Sequence, residues 1–193
     1  MPRTVLIFLL ACSGGVGVAQ ETPAIKCLSP DGRFSLRIAN DLKIDLIEKE
    51  SGKVMVDLGT LSTRYLERPE ETVVVWSSDS NWAAYGTRSD REGDTTVCFW
   101  NGSAFEVIPL PDDLPGPDIK FRKGSGSVKN YGGAVKPLRW VKPGELEVSS
   151  DSMMLSRDDG ATYTGVVVIT VAFDAQHHGS VKKVGKTKTR VSE

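Results

Sequence analysis

The sequence has little of what most active sites are built from. Only two histidines, His177 and His178, occur in 193 residues. As neighbours on an extended chain they point to opposite sides, so a zinc cluster built on them is not expected. Three cysteines are too few for a disulfide framework. No apolar run reaches the roughly 20 residues that a membrane-spanning helix needs. Neither sign of charge dominates: 24 Lys+Arg stand against 25 Asp+Glu, a formal net charge of −1. That balance excludes a general nucleic-acid binder and a polybasic membrane-surface protein. The Gly-x-Ser-x-Gly elbow of serine hydrolases is missing, because Gly124-Ser125-Gly126-Ser127-Val128 carries valine where the last glycine belongs. Gly179 to Thr187 is one residue too long for a phosphate loop and is followed by too little chain for its helix. No cofactor or metal is implied.

What is present is a globular composition, 39% hydrophobic and 25% charged, long enough to bury one core. Met1 to Ala19 reads as an export signal: Arg3 supplies the positive start, Val5 to Ala11 the apolar stretch, and Gly17-Val18-Ala19 the small residues before a cut. The expected location is periplasmic or extracellular. The alternative is a lipoprotein anchored at Cys12, in the sequence Leu9-Leu10-Ala11-Cys12. Cutting after Ala19 removes Arg3 and Cys12, which takes the formal charge from −1 to −2 and leaves Cys27 and Cys98. In an oxidising compartment these two can form a disulfide; the other reading is a pair of small buried core residues.

The body of the chain contains an internal repeat. With Asp31, Asp79 and Pro143 in one column, Leu28, Trp76 and Trp140 stand three residues before it. Phe34, Trp82 and Leu146 stand three after, Leu36, Ala84 and Val148 five after, and Gly32, Ser80 and Gly144 one after. Each copy reads as strand, tight turn, strand, with one apolar face at period two. In Ser29-Pro30-Asp31-Gly32, proline presets the first central angle of the turn and glycine takes its last position. A second hairpin follows in two copies, at Glu50-Ser51-Gly52-Lys53 and at Asn101-Gly102. The third copy shows none, only a long alternating run from Tyr163 to Phe173. No amphipathic helix is found. Trp76 and Trp82 fall in core columns.

The run Ser29-Pro30-Asp31-Gly32-Arg33-Phe34 with its Ser51-Gly52-Lys53 hairpin, and the segment Trp76-Ser77-Ser78-Asp79-Ser80-Asn81-Trp82, resemble the β-propeller repeats of the TolB type. Similar repeats occur in the propeller domains of prolyl oligopeptidase-like enzymes. The resemblance covers about 26–58 and 72–110 well and 137–173 loosely. It implies an exported, all-β chain of antiparallel meander sheets. Two clear units and one degenerate one are too few to close a ring, so the expected fold is a partial propeller or, alternatively, a β-sandwich, with homo-oligomerisation as one way to complete it.

Outside the repeats, residues 109–136 break the pattern with four prolines and five glycines. So long a connection is either functional or a flexible linker. Ile119, Phe121, Arg122 and Tyr131 are its candidate binding residues. The basic end, 177–193, reads as a solvated, frayed tail, or as an electrostatic dock for an anionic envelope component. Asp90, Glu92 and Asp158 are the carboxylates that a small secreted hydrolase would use as acid–base groups. The expected function is a non-catalytic exported module binding a protein or an envelope polymer, with the hydrolase as the alternative.

Overall fold

The computed structural model describes residues 27–39, 41–60, 73–88 and 91–193, and every regular element among them is a β-strand. The export segment expected at 1–19 lies outside the described residues. The strands form three antiparallel meanders in chain order. The first comprises β1 (Phe34–Ile38), β2 (Lys43–Glu48) and β3 (Val54–Thr60). The second comprises β4 (Val73–Trp76), β5 (Trp82–Arg88), β6 (Glu92–Trp100) and β7 (Phe105–Ile108). The third comprises β8 (Val128–Lys142), β9 (Glu145–Ser156), β10 (Thr162–Phe173) and β11 (Gly179–Val184), with β12 (Lys188–Ser192) continuing along the same edge of β10. The first meander is a sheet of its own. The second and third share a ladder only where β6 and β8 run parallel, at Glu92↔Gly133 and Gly93↔Ala134.

The turn that precedes β1 recurs before β5, bond for bond. Ser29 Oγ donates to Asp31 Oδ1 (2.6 Å) and accepts from the Phe34 N–H (3.0 Å), while the Arg33 N–H donates to Asp31 Oδ1 (3.1 Å). Forty-eight residues on, Ser77 Oγ donates to Asp79 Oδ1 (2.5 Å) and accepts from the Trp82 N–H (3.0 Å), and the Asn81 N–H donates to Asp79 Oδ1 (3.1 Å). The same backbone pair closes each turn, Ser29 N to Phe34 O and Ser77 N to Trp82 O. Gly32, Ser80 and Gly144 all take the left-handed conformation, with φ of 74°, 61° and 75°, which explains the small residue in that column. Ser77 is fully buried. Replacing it by alanine strands the buried Trp82 N–H, and the expected loss is about 1–3 kcal/mol, read from urea denaturation. The Ser29→Ala variant gives the matched comparison.

The meanders stack face to face, and the second is the middle layer. Alternation along its strands sends Ala83 and Cys98 back onto Phe34, Leu46 and Met55 of the first layer, and Tyr85 back onto Ile44. Trp82, Ala84 and Val97 go forward onto Leu146, Val148, Val167 and Ile169 of the third. One polar contact repeats between layers. Trp76 Nε1 donates to the carbonyl of Cys27 (3.0 Å), and Trp140 Nε1 donates to that of Val75 (3.2 Å). Leu28, which shares the tryptophan column but has no earlier meander to meet, is 52% exposed.

In the third unit the structure departs from the sequence reading in three ways. Its two-residue Pro143-Gly144 turn, with Lys142 opposite Glu145, keeps the frame of the four-residue turns, but a bulge at Val141 sets Trp140 opposite Leu146, one residue short of the Trp76↔Ala83 pairing. A one-residue slip exchanges the faces. Leu146 and Val148 therefore pack backward, where Phe34 and Trp82 pack forward. The second hairpin that the sequence hid is present: it runs from β10 to β11 through Asp174–His178, with the Asp174 N–H donating to the His178 carbonyl (3.1 Å) and His177 at a φ of 64°. Residues 177–193 are consequently no frayed tail. Val181 and Val191 give β11 and β12 their contacts with the core. The irregular segment also ends earlier than expected, because β8 begins at Val128.

Candidate functional site

Each meander puts its turns at the same end. The turn before β1 and the one after β2 lie together because Phe34 pairs with Glu48. Trp82↔Phe99 does the same for the second unit, and Ala172↔Glu145 for the third. The three units' turns then touch. The Asp31 N–H donates to Ser80 Oγ (3.0 Å), and His177 lies with its ring centroid 3.8 Å from Phe99 and 5.3 Å from Trp82. The result is a composite end surface on the layered sheets.

A cavity of about 320 Å³ opens on this end, lined by Gly32, Arg33, Glu48, Lys49 and Glu50. Arg33 is held over Phe34 and Trp100, 4.8 and 5.9 Å from the ring centroids, and its Nε donates to Asp31 Oδ2 (2.5 Å). Glu48 accepts from Ser51 Oγ (2.5 Å). Lys49 and Glu50 are exposed and make no ion pair among the described residues. Desolvation by burial works to raise the Asp31 pKa, but the Ser29 hydroxyl and the Arg33 guanidinium and N–H outweigh it, and the carboxyl is held at about 2. Because the folded value lies below the ordinary one near 3.9, Asp31 adds stability above about pH 4 and loses that contribution between about pH 4 and pH 2. An Asp31→Asn chain should therefore be the less stable one at pH 6, with the gap closing as denaturation is repeated toward pH 2.

The expected binding residues of the long connection fall into two groups. Leu110 and Leu114 pack on the main core, and residues 117–125 form a strap across β10. Ile119 is buried with Ala161 and Tyr163, and with Pro117 it sits where a side chain on Gly165 would be. Ile119 is thus an anchor and not a surface contact. Phe121 meets Tyr163 edge-on at 5.1 Å, Ser125 Oγ shares a hydrogen bond with Tyr163 OH (2.7 Å), and Arg122 pairs with Glu193 (2.7 Å). Tyr131 is in a bulge of β8, under the Arg91 guanidinium at 4.0 Å and accepting a hydrogen bond from its Nη2 (3.0 Å). The row Asn130–Met154–Tyr163 puts these two groups two strands apart, about 10 Å.

Of the acid–base carboxylates, Glu92 and Asp158 do not converge. Asp90 lies outside the described residues. Glu92 is opposite Gly133, which is opposite Ser152. Asp158 lies beyond Ser156, already four residues or about 13 Å along β9 from that row, which exceeds the roughly 5–9.5 Å between glycosidase carboxylates. No group of three metal-ligating side chains occurs among the described residues. His178 faces Asp174 (3.5 Å) at an exposed turn, and His177 serves in the aromatic stack. Cys27 and Cys98 are free buried thiols, not a disulfide, with burial pushing their pKa values up to about 11 and 12. No helix among the described residues is long and apolar enough to cross a membrane.

The class that these observations define is an all-β protein of stacked antiparallel meanders. The chain matches no protein-family model, and no curated protein sequence is significantly similar to it.

Proposed function

We propose that this chain is an exported, non-catalytic β-repeat module of partial-propeller type that binds a protein or envelope component through the turns at one end of its layers. The observation that carries the reading is the pair of near-identical serine–aspartate turns, joined by the Asp31–Ser80 bond beside a charged cavity. Turns fixed by three side-chain bonds each present their tips in one conformation, which lowers the ordering cost of binding. The repeat pattern of the sequence supports the propeller relationship, and the apolar stretch at 5–11 supports export. The dispersal of Glu92 and Asp158 supports binding over hydrolysis.

The test is affinity capture from an envelope extract with the parent chain and with a Lys49→Glu/Glu50→Lys double variant, which leaves net charge unchanged. A stoichiometric partner captured by the parent and lost with the variant is the expected result. A partner retained equally by both moves the site away from the turns, and capture of nothing removes the binding reading.

A further inference from the structure

The third meander has an outward face that nothing among the described residues covers. Alternation along β10 sends Tyr163, Val167, Ile169 and Val171 inward, under the strap and the middle layer, and leaves Thr162, Thr164, Val166, Val168, Thr170 and Ala172 outside. The registers carry that outer row across the sheet. On β8 it ends at Lys129, Lys136, Arg139 and Lys142, opposite Leu155, Ser149, Glu147 and Glu145. On the far edge it ends at Lys183 opposite Thr170, Lys188 opposite Val166 and Arg190 opposite Thr164. Lys182 adds an eighth cation, bulged outward onto Glu145 (2.6 Å).

Among the described residues only three carboxylates share the face, and none of them pairs with Lys183, Lys188 or Arg190. Glu145 is held by Lys182 and Lys142, which keep its carboxyl below the usual range. Glu147 is paired with Arg139 (2.8 Å), and Asp151 Oδ1 accepts from the Ala134 N–H (3.1 Å). Lys183, Lys188 and Arg190 are exposed and make no ion pair among the described residues. So a chain of formal net charge −1 concentrates positive charge on one sheet face. From Lys183 to Arg190 the edge follows six residues of β10, about 20 Å, with Lys188 and Arg190 about 7 Å apart.

We infer that this face binds a linear anionic polysaccharide laid along the β11–β12 edge. Spaced cations match a polymer with spaced charges. Thr162, Thr164 and Ser192 beside them offer hydroxyls that can bond sugar hydroxyls. A single-stranded nucleic acid needs aromatic platforms for its bases, and the outward rows of β9 and β10 hold no aromatic side chain. A membrane surface calls for an aromatic or leucine-rich face at its boundary, and here carboxylates occupy the middle strip. The surface is separate from the turns, so this inference does not depend on the proposed function.

The test uses the full chain with dextran sulfate and polygalacturonate as probes. Neutral dextran, an oligothymidylate and phosphatidylglycerol vesicles serve as comparators. Expected is binding of both charged glycans at low salt, lost at least tenfold in Lys188→Glu/Arg190→Glu at an unchanged melting temperature. The dependence of log affinity on log salt should lessen by about one to two when those two cations go. A Lys183→Gln/Lys186→Gln chain, which keeps β12 intact, should show a smaller loss, and Lys49→Glu/Glu50→Lys none. The inference is overturned by equal glycan binding in the edge variants, by absence of glycan binding in the parent, or by vesicles or oligothymidylate binding as tightly as the glycans.

Discussion

Replacing Trp82 by alanine should destabilise the protein by about 3–5 kcal/mol, the largest single loss expected from any side chain here. Trp82 is 5% exposed, and its ring meets aromatic groups of its own layer and of the third. Its centroid lies 4.7 Å from Phe99 in its own layer, and 5.4 and 5.0 Å from Trp140 and Phe173 in the third. Truncation removes that burial and leaves a cavity that rigid strands on both sides cannot collapse. Trp76 is only half-buried, so Trp76→Ala should cost less, about 2–3 kcal/mol, including the lost hydrogen bond to Cys27. Urea midpoints for the two variants check both magnitude and order. A Trp82→Ala chain as stable as the parent contradicts the layer packing.

The second large effect is expected at Arg37. On the outer face of the first layer, the row Arg37–Asp45–Asp57 runs across β1, β2 and β3. Asp45 is 1% exposed, and Arg37 Nη2 reaches its Oδ2 at 2.7 Å. Lys43 stands 3.9 Å from Oδ1 but is drawn instead to Asp57 at 3.1 Å. Removing Arg37 strands a buried carboxylate. Such losses run at about 3–5 kcal/mol for fully buried pairs; with Arg37 itself 41% exposed, the expectation for Arg37→Ala is about 2 kcal/mol. An Arg37→Leu/Asp45→Leu chain should recover most of it, because neither charge is then left without its partner. If that double variant is as unstable as Arg37→Ala alone, the ion pair is not what Arg37 contributes.

How far the sequence could be read depended on turns. Before the turn, the Leu28/Trp76/Trp140 column is correct in every unit that has a preceding neighbour, because both tryptophans point the same way and make the same inter-layer bond. After it, the columns hold for Phe34 and Trp82, whose turns share one length. They fail at Leu146, where a bulge at Val141 shifts the pairing by one residue and exchanges the faces. A sequence column carries no sign of a bulge that leaves one residue of β8 without a partner. The Asp174–His178 hairpin carries no glycine signal in the sequence, because its left-handed position is filled by His177. The lysines of 182–190 looked like a solvated end because a sheet-edge strand needs few apolar residues, here Val181 and Val191. The end surface and the basic face both depend on which strands are neighbours, which no local pattern encodes.

The single short ladder between β6 and β8 has a consequence for amide hydrogen exchange. Apart from those two residue pairs, every strand ladder described closes within its own meander, so the chain is three hydrogen-bonded units in series, coupled by side-chain packing. The third unit holds the longest strands and is braced by the strap, so the β9 and β10 amides should exchange slowest. The three-stranded first unit should open first, sharing no ladder with the rest and retaining only its packing on the middle layer. Protection would then be lost in order along the chain, each layer opening before the one that follows it.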